Sequence, residues 1–175
     1  MQCNAQYTDT SYVLVGLLQP LSARILVPYD GSKWSDKAVR QAIEHAKLLK
    51  DAEVILFYVV PDVHPPPSFS YGMYIANVKS TKEYLKELYQ KMKSDASQML
   101  NKKKQEFTDG GVNNMRTKVS VGNPVKQILA MATTEKVELI IIGSIGRSGI
   151  ARLKNLGSVS RSVSERASCP VMIVH

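Results

Sequence analysis

The chain is poor in cysteine, histidine and tryptophan, and it has no long apolar run. Two cysteines occur in 175 residues, Cys3 and Cys169, without a Cys-x-x-Cys pair. That excludes a disulfide framework and makes a reducing compartment, the cytoplasm, the expected setting. His45, His64 and His175 are scattered without ligand spacing, which argues against a histidine metal site. No run is long enough to span a bilayer, so no membrane partner is expected. Val13 to Leu18 is apolar but short and lacks a positively charged leader, a poor match to a signal peptide. Residues 1–22 show no periodicity that ties them to the rest of the chain and read as an N-terminal extension to a domain over 23–175.

Positive charge, by contrast, is in excess: the formal net charge is +8. Residues 79–104 carry net +5, with the lysine spacing of a solvated helix face. Residues 147–166 carry net +4, around a glycine-rich stretch. Neither cluster has the interleaved aromatics of a single-strand binder, and nucleic-acid motifs are absent, so nucleic acid is not the expected partner. Hydrophobic residues make up 44% of the chain, enough for the core of one domain.

Strand and helix patterns alternate along the chain. Ile25 to Val27 is a short buried strand ended by Pro28, and Asp30-Gly31 signals a turn with Ser32 as N-cap. Trp34, Ala38, Ala42, Ala46 and Leu49 recur at helical spacing, with Trp34 as a core anchor. Glu53 to Val60 is a second buried strand, and residues 61–78, with Pro65-Pro66-Pro67 and three aromatics, read as a long loop. A long helix is predicted from Ser80 to about Phe107, its last turns carrying Lys102-Lys103-Lys104 and Gly110-Gly111 ending it. Met115 to Val121 alternates apolar and polar residues, the mark of a half-exposed edge strand. Gly122-Asn123-Pro124 starts another helix, Glu138 to Ile142 is the most apolar strand, and Val171 to Val174 is the last. Such alternation predicts a doubly wound α/β fold, a parallel sheet with helices on both faces.

The stretch of greatest chemical interest comes directly after the most apolar strand. Gly143-Ser144-Ile145-Gly146-Arg147-Ser148-Gly149 leads to Gly157-Ser158-Val159-Ser160 and a helix. Glycines let backbone approach an anion, and unpaired N–H groups at a helix start point at it. Ligands in doubly wound folds sit at the carboxyl ends of strands where the strand order reverses. If the first and fourth strands are neighbours there, Asp30 and the Gly143–Gly146 loop share one crevice.

These residues resemble the universal stress protein family. Ile25-Leu26-Val27-Pro28-Tyr29-Asp30-Gly31-Ser32 is similar to its opening strand, Gly122-Asn123-Pro124 to a helix start, and Gly143-x2-Gly146 with Gly157-Ser158 to its nucleotide loop, Gly-x2-Gly-x9-Gly-Ser/Thr. The resemblance implies a Rossmann-like, adenine nucleotide alpha hydrolase-like sheet of five parallel strands. It also implies a stress-response protein that binds ATP, AMP or ADP, with Mg2+ held through the phosphates. Carried over residue by residue, the nucleotide set is Pro28, Tyr29, Asp30, Val59, Ile142, Gly143, Ile145, Gly146, Arg147, Gly157, Ser158 and Val159. A homodimer through Val171–Val174 is implied as well. No general base is evident beside Asp30, so binding with slow hydrolysis at most is expected, with a nucleotide-free interaction module as the alternative. One departure stands out: ten residues, Arg147 to Leu156, separate Gly146 from Gly157 where the pattern has nine. The extra residue either bulges harmlessly or moves the Gly157 amide away from the phosphates.

Overall fold

Each predicted strand forms, and the five join in one parallel sheet. The structure, a computed structural model, describes residues 23–49, 52–68, 81–146 and 156–175. The extension over 1–22, Arg147, and the aromatics of the 61–78 stretch lie outside the described residues. In chain order the elements are β1 (Arg24–Pro28), α1 (Lys33–Leu48), β2 (Glu53–Val60), α2 (Thr81–Asp109), β3 (Met115–Val121), α3 (Pro124–Thr134), β4 (Leu139–Gly143), α4 (Ser158–Arg166) and β5 (Val171–Val174). The strand order is β3-β2-β1-β4-β5. β3 is at an edge, as its alternation predicts, and β4 is interior.

Strand parity divides the core into two layers. Ile25, Val27, Val54, Leu56 and Ile141 pack with Ala38, Val39 and Ala42 of α1 and Leu100 and Phe107 of α2. Leu26, Ile55, Phe57, Ile140 and Ile142 point the other way, onto Ile128 and Ala132 of α3 and Val163 of α4. Side chains alternate across a strand, so a continuous apolar run is what a sheet covered on both faces requires. Phe57 is 1% exposed, and its truncation to alanine is expected to cost about 3–5 kcal/mol.

Local signals decide where the helices begin and end. The Ser32 hydroxyl accepts from the Ser35 amide at 3.1 Å, and Asn123 Oδ1 accepts from the Lys126 amide at 3.1 Å with Pro124 behind it. Two orphan N–H groups are satisfied in this way. α2 ends in a Schellman arrangement: Val112 N donates to Phe107 O at 2.8 Å and Gly111 N to Thr108 O at 2.9 Å, with Gly111 at φ +82°. Only a residue without a Cβ takes that conformation at little cost.

Four expectations are corrected. Trp34 is not a core anchor. It is half-buried, with the ammonium groups of Lys33 and Lys37 at 4.9 and 4.4 Å from its ring centroid, because it lies on the first turn of α1 beside the edge of the core. Leu49 is exposed, since α1 ends at Leu48 and the chain leaves the helical stripe. Lys102 to Lys104 do not serve the end of α2, because the helix runs on to Asp109 and has no basic residue in its last turn. Within the 61–78 stretch the described residues are 61–68, and residues 67 and 68 are helical rather than loop.

The fully buried residues of α2, Ala96, Leu100 and Phe107, all fall in its second half. Its 29 residues span ~43 Å, whereas an eight-residue strand such as β2 spans ~26 Å. A crossover helix runs antiparallel to its strands, so the first half of α2 extends past their carboxyl ends. There the Tyr89 hydroxyl accepts from the Val63 amide at 2.7 Å, holding the segment that leaves β2.

Candidate functional site

The sheet order reverses between β1 and β4. β1 is followed by β2 and then β3 on one side, while β4 and β5 build outward on the other. Connections leave this point in opposite directions, which opens a crevice above the strand ends. A cleft of ≈ 410 Å³ lies there. Pro28, Tyr29 and Asp30 come to it from the end of β1, and Val59 from β2. Ile142, Gly143, Ile145 and Gly146 come from β4 and its exit, and Gly157, Ser158 and Val159 from the start of α4. All the predicted site residues therefore meet in one place except Arg147, which lies outside the described residues.

Two sequence-distant turns touch inside the crevice. Asp30 Oδ1 accepts from the Ser32 amide at 3.0 Å, shaping the turn that leads into α1. Its other oxygen, Oδ2, lies 3.0 Å from where a Cβ on Gly146 would be. The Ser32 hydroxyl also reaches the Ile145 carbonyl at 3.4 Å. Gly143 has a different reason to be glycine. A Cβ there would stand 2.6 Å from the Trp34 carbonyl carbon, so the close approach of α1 to β4 excludes a side chain.

The long connection from Gly146 to Gly157 is closed at its base. The Gly157 amide donates to the Ser144 carbonyl at 2.7 Å, and the buried Ser160 hydroxyl donates to the same carbonyl at 2.8 Å. Ser144 N in turn donates to Val174 O at 2.8 Å. Gly157 is thereby tied to the exit of β4, and the Ser144 carbonyl takes its amide hydrogen. The next amides, of Ser158, Val159 and Ser160, open α4. Gly157 is its N-cap and has no side chain to cap them. Uncapped N–H groups and the positive end of the helix dipole meet the crevice together.

The backbone of β2 is open on the same side. β1 and β2 are in register up to Pro28↔Phe57, with one further bond from Tyr29 N to Phe57 O at 2.8 Å. β2 continues against β3 as far as Val60↔Val121. β1 has turned away by then, so the peptide edge around Val59 faces the crevice instead of a strand.

A family model described as the universal stress protein family matches residues 22–175. The chain belongs to the universal stress protein family. A universal stress protein of Methanocaldococcus jannaschii is 33% identical over 166 residues, 93% of this chain and 89% of its own. Universal stress protein YxiE of Bacillus subtilis is 32% identical over 151 residues, 86% of this chain and 97% of its own. Among solved structures, UspA of Lactobacillus plantarum shares the fold with a TM-score of 0.73 at 24% identity, over 88% of this chain and 98% of that one. Two universal stress proteins of the same fold were solved with adenine nucleotides. One, in complex with cAMP, has a TM-score of 0.60 at 24% identity, over 88% of this chain and 97% of that one. The other, from Archaeoglobus fulgidus and in complex with dAMP, has a TM-score of 0.58 at 19% identity, over 87% of this chain and 98% of that one.

Sequence reasoning missed one wall of this universal stress protein crevice. Phe57 and Ile128 form an apolar side, and Ser32, Ser35 and Pro124 line it as well. Ser32 and Asn123-Pro124 were legible only as helix starts. Strand order alone reveals that those helix starts surround one cavity. Tyr29 also holds a surprise: its hydroxyl donates to Asp36 Oδ1 at 2.9 Å, within the layer under α1 and α2. Burial, with help from that bond, pushes the phenol up to about 12.

Proposed function

We propose that the chain binds an adenine nucleotide in this crevice and acts as a nucleotide-binding regulator in a stress response. The observation that carries the reading is the meeting of Asp30, Gly146 and the uncapped start of α4 at the β1/β4 reversal. Each part of a nucleotide finds a fitting group. The open peptide edge around Val59 matches the donor and acceptor pair on the edge of adenine. The apolar wall of Phe57 and Ile128 suits the faces of a base. Asp30 accepts from sugar hydroxyls, and the first amides of α4, with the Ser158 hydroxyl, suit phosphate oxygens. The cleft volume lies in the range of small-ligand sites, roughly 300–1,000 Å³. That related proteins of this fold were solved with cAMP and dAMP supports the adenine class.

Among the described residues no group of three or more His, Cys, Asp or Glu side chains could hold a metal ion. Mg2+ therefore enters the proposal only through the phosphates of ATP. No described helix is long and apolar enough to cross a membrane. The half-buried edge strand β5 is the proposed contact of a homodimer, with Val171 to Val174 pairing to a second copy. One observation favours the alternative of a nucleotide-free interaction module: the Gly157 amide is already taken by Ser144.

The test is direct. Nucleotide released from the purified protein is identified, and ATP, AMP, adenosine and GTP are then titrated calorimetrically into stripped wild type and Gly146→Gln. Micromolar binding of adenine ligands, weakened at least ~10-fold by a side chain driven into Asp30, is expected. Absence of binding, or affinity indifferent to Gly146→Gln, would overturn the reading.

A further inference from the structure

Tyr29 stands where crevice and core meet. It lines the cleft beside Pro28 and Asp30, yet it is only 5% exposed, and it packs in the layer under α1 and α2. Its amide makes the last rung between β1 and β2. Beyond that rung the chain turns through Asp30 and Gly31 without ladder support from β2. Support comes from the layer under α1 and α2. The Tyr29 hydroxyl donates to Asp36 Oδ1 at 2.9 Å. Lys103 Nζ of α2 lies 2.8 Å from the same oxygen and 2.5 Å from Glu106 Oε1, and it stands 5.7 Å from the centroid of the Tyr29 ring. Met99, one turn earlier on α2, places its sulfur 3.3 Å from where a Cβ on Gly31 would be, and Gly31 sits at φ +80°. Residues four apart share a helix face, so α2 touches the turn at two neighbouring points.

We propose that Tyr29, Asp36 and Lys103 form a brace that sets the Pro28–Asp30 backbone from the layer under α1 and α2. Tyr29 and Lys103 then act as positioning residues for the base and sugar of the bound nucleotide. The inference rests on the nucleotide reading above. An ion pair that served only stability could lie anywhere on the surface. This one converges on a strand end that lines the crevice. Its chemistry also suits a permanent brace. Burial raises the Tyr29 hydroxyl to about 12, so it remains a donor at neutral pH. Burial alone would raise the Asp36 carboxyl, but the bonds from Lys103 and Tyr29 and the charge of Arg40 hold it below its usual range. An ionised Asp36 accepts from both partners at once.

The experiment uses the full chain as wild type, Tyr29→Phe, Lys103→Met and Lys103→Arg. Amide exchange is followed without nucleotide, and ATP, AMP and adenosine affinities are measured alongside melting temperature. Tyr29→Phe removes one oxygen and keeps the ring. It is expected to speed exchange at residues 29–32 and to raise all three Kd values by a common factor of about 3 to 10, the effect of one net hydrogen bond. Lys103→Met does the same and Lys103→Arg restores both readouts. Equal losses for adenosine and ATP assign the effect to base and sugar. A lower melting temperature with unchanged affinities would show a merely structural ion pair and overturn the proposal. So would unchanged exchange at 29–32. A wild type that binds none of the ligands would overturn the nucleotide reading and the positioning role together, and it differs from the other failures in that the unmutated protein is already silent.

Discussion

Alanine at the three motif glycines is expected to give three different results. None of Gly143, Gly146 and Gly157 needs a left-handed backbone: the positive-φ glycines among the described residues are Gly31, Gly111 and Gly122. The cost of a methyl group is therefore set by the space it meets. At Gly143 that space is already filled by backbone. The new Cβ would lie 2.6 Å from Trp34 C, 2.8 Å from Trp34 O and 2.9 Å from Ser35 N. Carbon atoms pack at about 3.5–4.0 Å, so the first turn of α1 must retreat by roughly 1 Å. That turn carries the Ser32 cap and its contact with Ile145 O, so the displacement spreads into the crevice. Overpacking costs about 1–3 kcal/mol, and about 0.4–1 kcal/mol returns through the lower entropy of the unfolded chain. A net loss near ~1.5 kcal/mol lowers the melting temperature by about 3–6 °C in a domain of this size. At Gly146 the methyl meets, among the described residues, the far end of the Asp30 side chain, at 3.0 Å. A carboxylate yields by tenths of an ångström, so the melting temperature should stay within about 2 °C of wild type. The displaced group is the proposed sugar acceptor, however, and adenosine affinity should fall about 10-fold. Gly157 is intermediate, with the Ser144 carbonyl at 3.1 Å and already holding two donors. Calorimetric melting without ligand and adenosine titration separate the three. A Gly143→Ala protein that melts with the wild type, or a Gly146→Ala protein that loses more stability than it, would refute the steric reasoning.

Three further outcomes rest on local contacts. Ser160→Ala removes the hydroxyl that reaches Ser144 O and Gly157 O, and thermal melting should show a loss of about 1 kcal/mol, since Gly157 N still satisfies Ser144 O. Arg116 joins Glu53 and Glu135, each at 2.6 Å, at the amino ends of the strands. Arg116→Met should cost about 1 kcal/mol, because its side chain is one-third exposed and solvent screens the pairs, and the cost should shrink in high-salt melts. The third outcome concerns alkaline pH. The folded Tyr29 hydroxyl titrates above its unfolded value of 10.0, at about 12, so its contribution is complete below pH 10 and is lost as pH rises through 12. Lys103, whose ammonium is held by Asp36 and Glu106 against the opposing effect of burial, is shifted upward too, and its contribution is likewise lost at alkaline pH. Melting temperature should fall across this interval, and the fall should be shallower in Tyr29→Phe. An equally steep fall in that variant would count against the assignment.

The strands and most helix boundaries were legible because their causes are local. Apolar runs bounded by Pro28, Pro61 and Gly122 make strands, and Ser32, Asn123 and Gly111 start or stop helices through bonds within a few residues. The residues that line the candidate crevice were legible where a motif spells them out. Failures occurred where burial depends on neighbours. Tyr84, Leu85, Leu88, Tyr89, Met92, Ala96, Met99 and Leu100 of α2 recur at helical spacing as one apolar stripe, but the buried residues of the helix all lie in its second half, and Tyr84 is 40% exposed. Trp34 reads as core for the same reason and lies under two lysines instead.

Periodicity and turn chemistry act over a few residues, and they suffice for five strands, their alternation with helices and a glycine-rich exit from β4. That β1 lies beside β4, and with it that Asp30 meets Gly146, emerges only once the chain is packed. The same packing brings α1 against Gly143 and bonds the Gly157 amide to the Ser144 carbonyl. Those facts depend on which strands pair and how closely helices approach them. Pairing is set by the whole core at once, and no local stretch of the chain carries it.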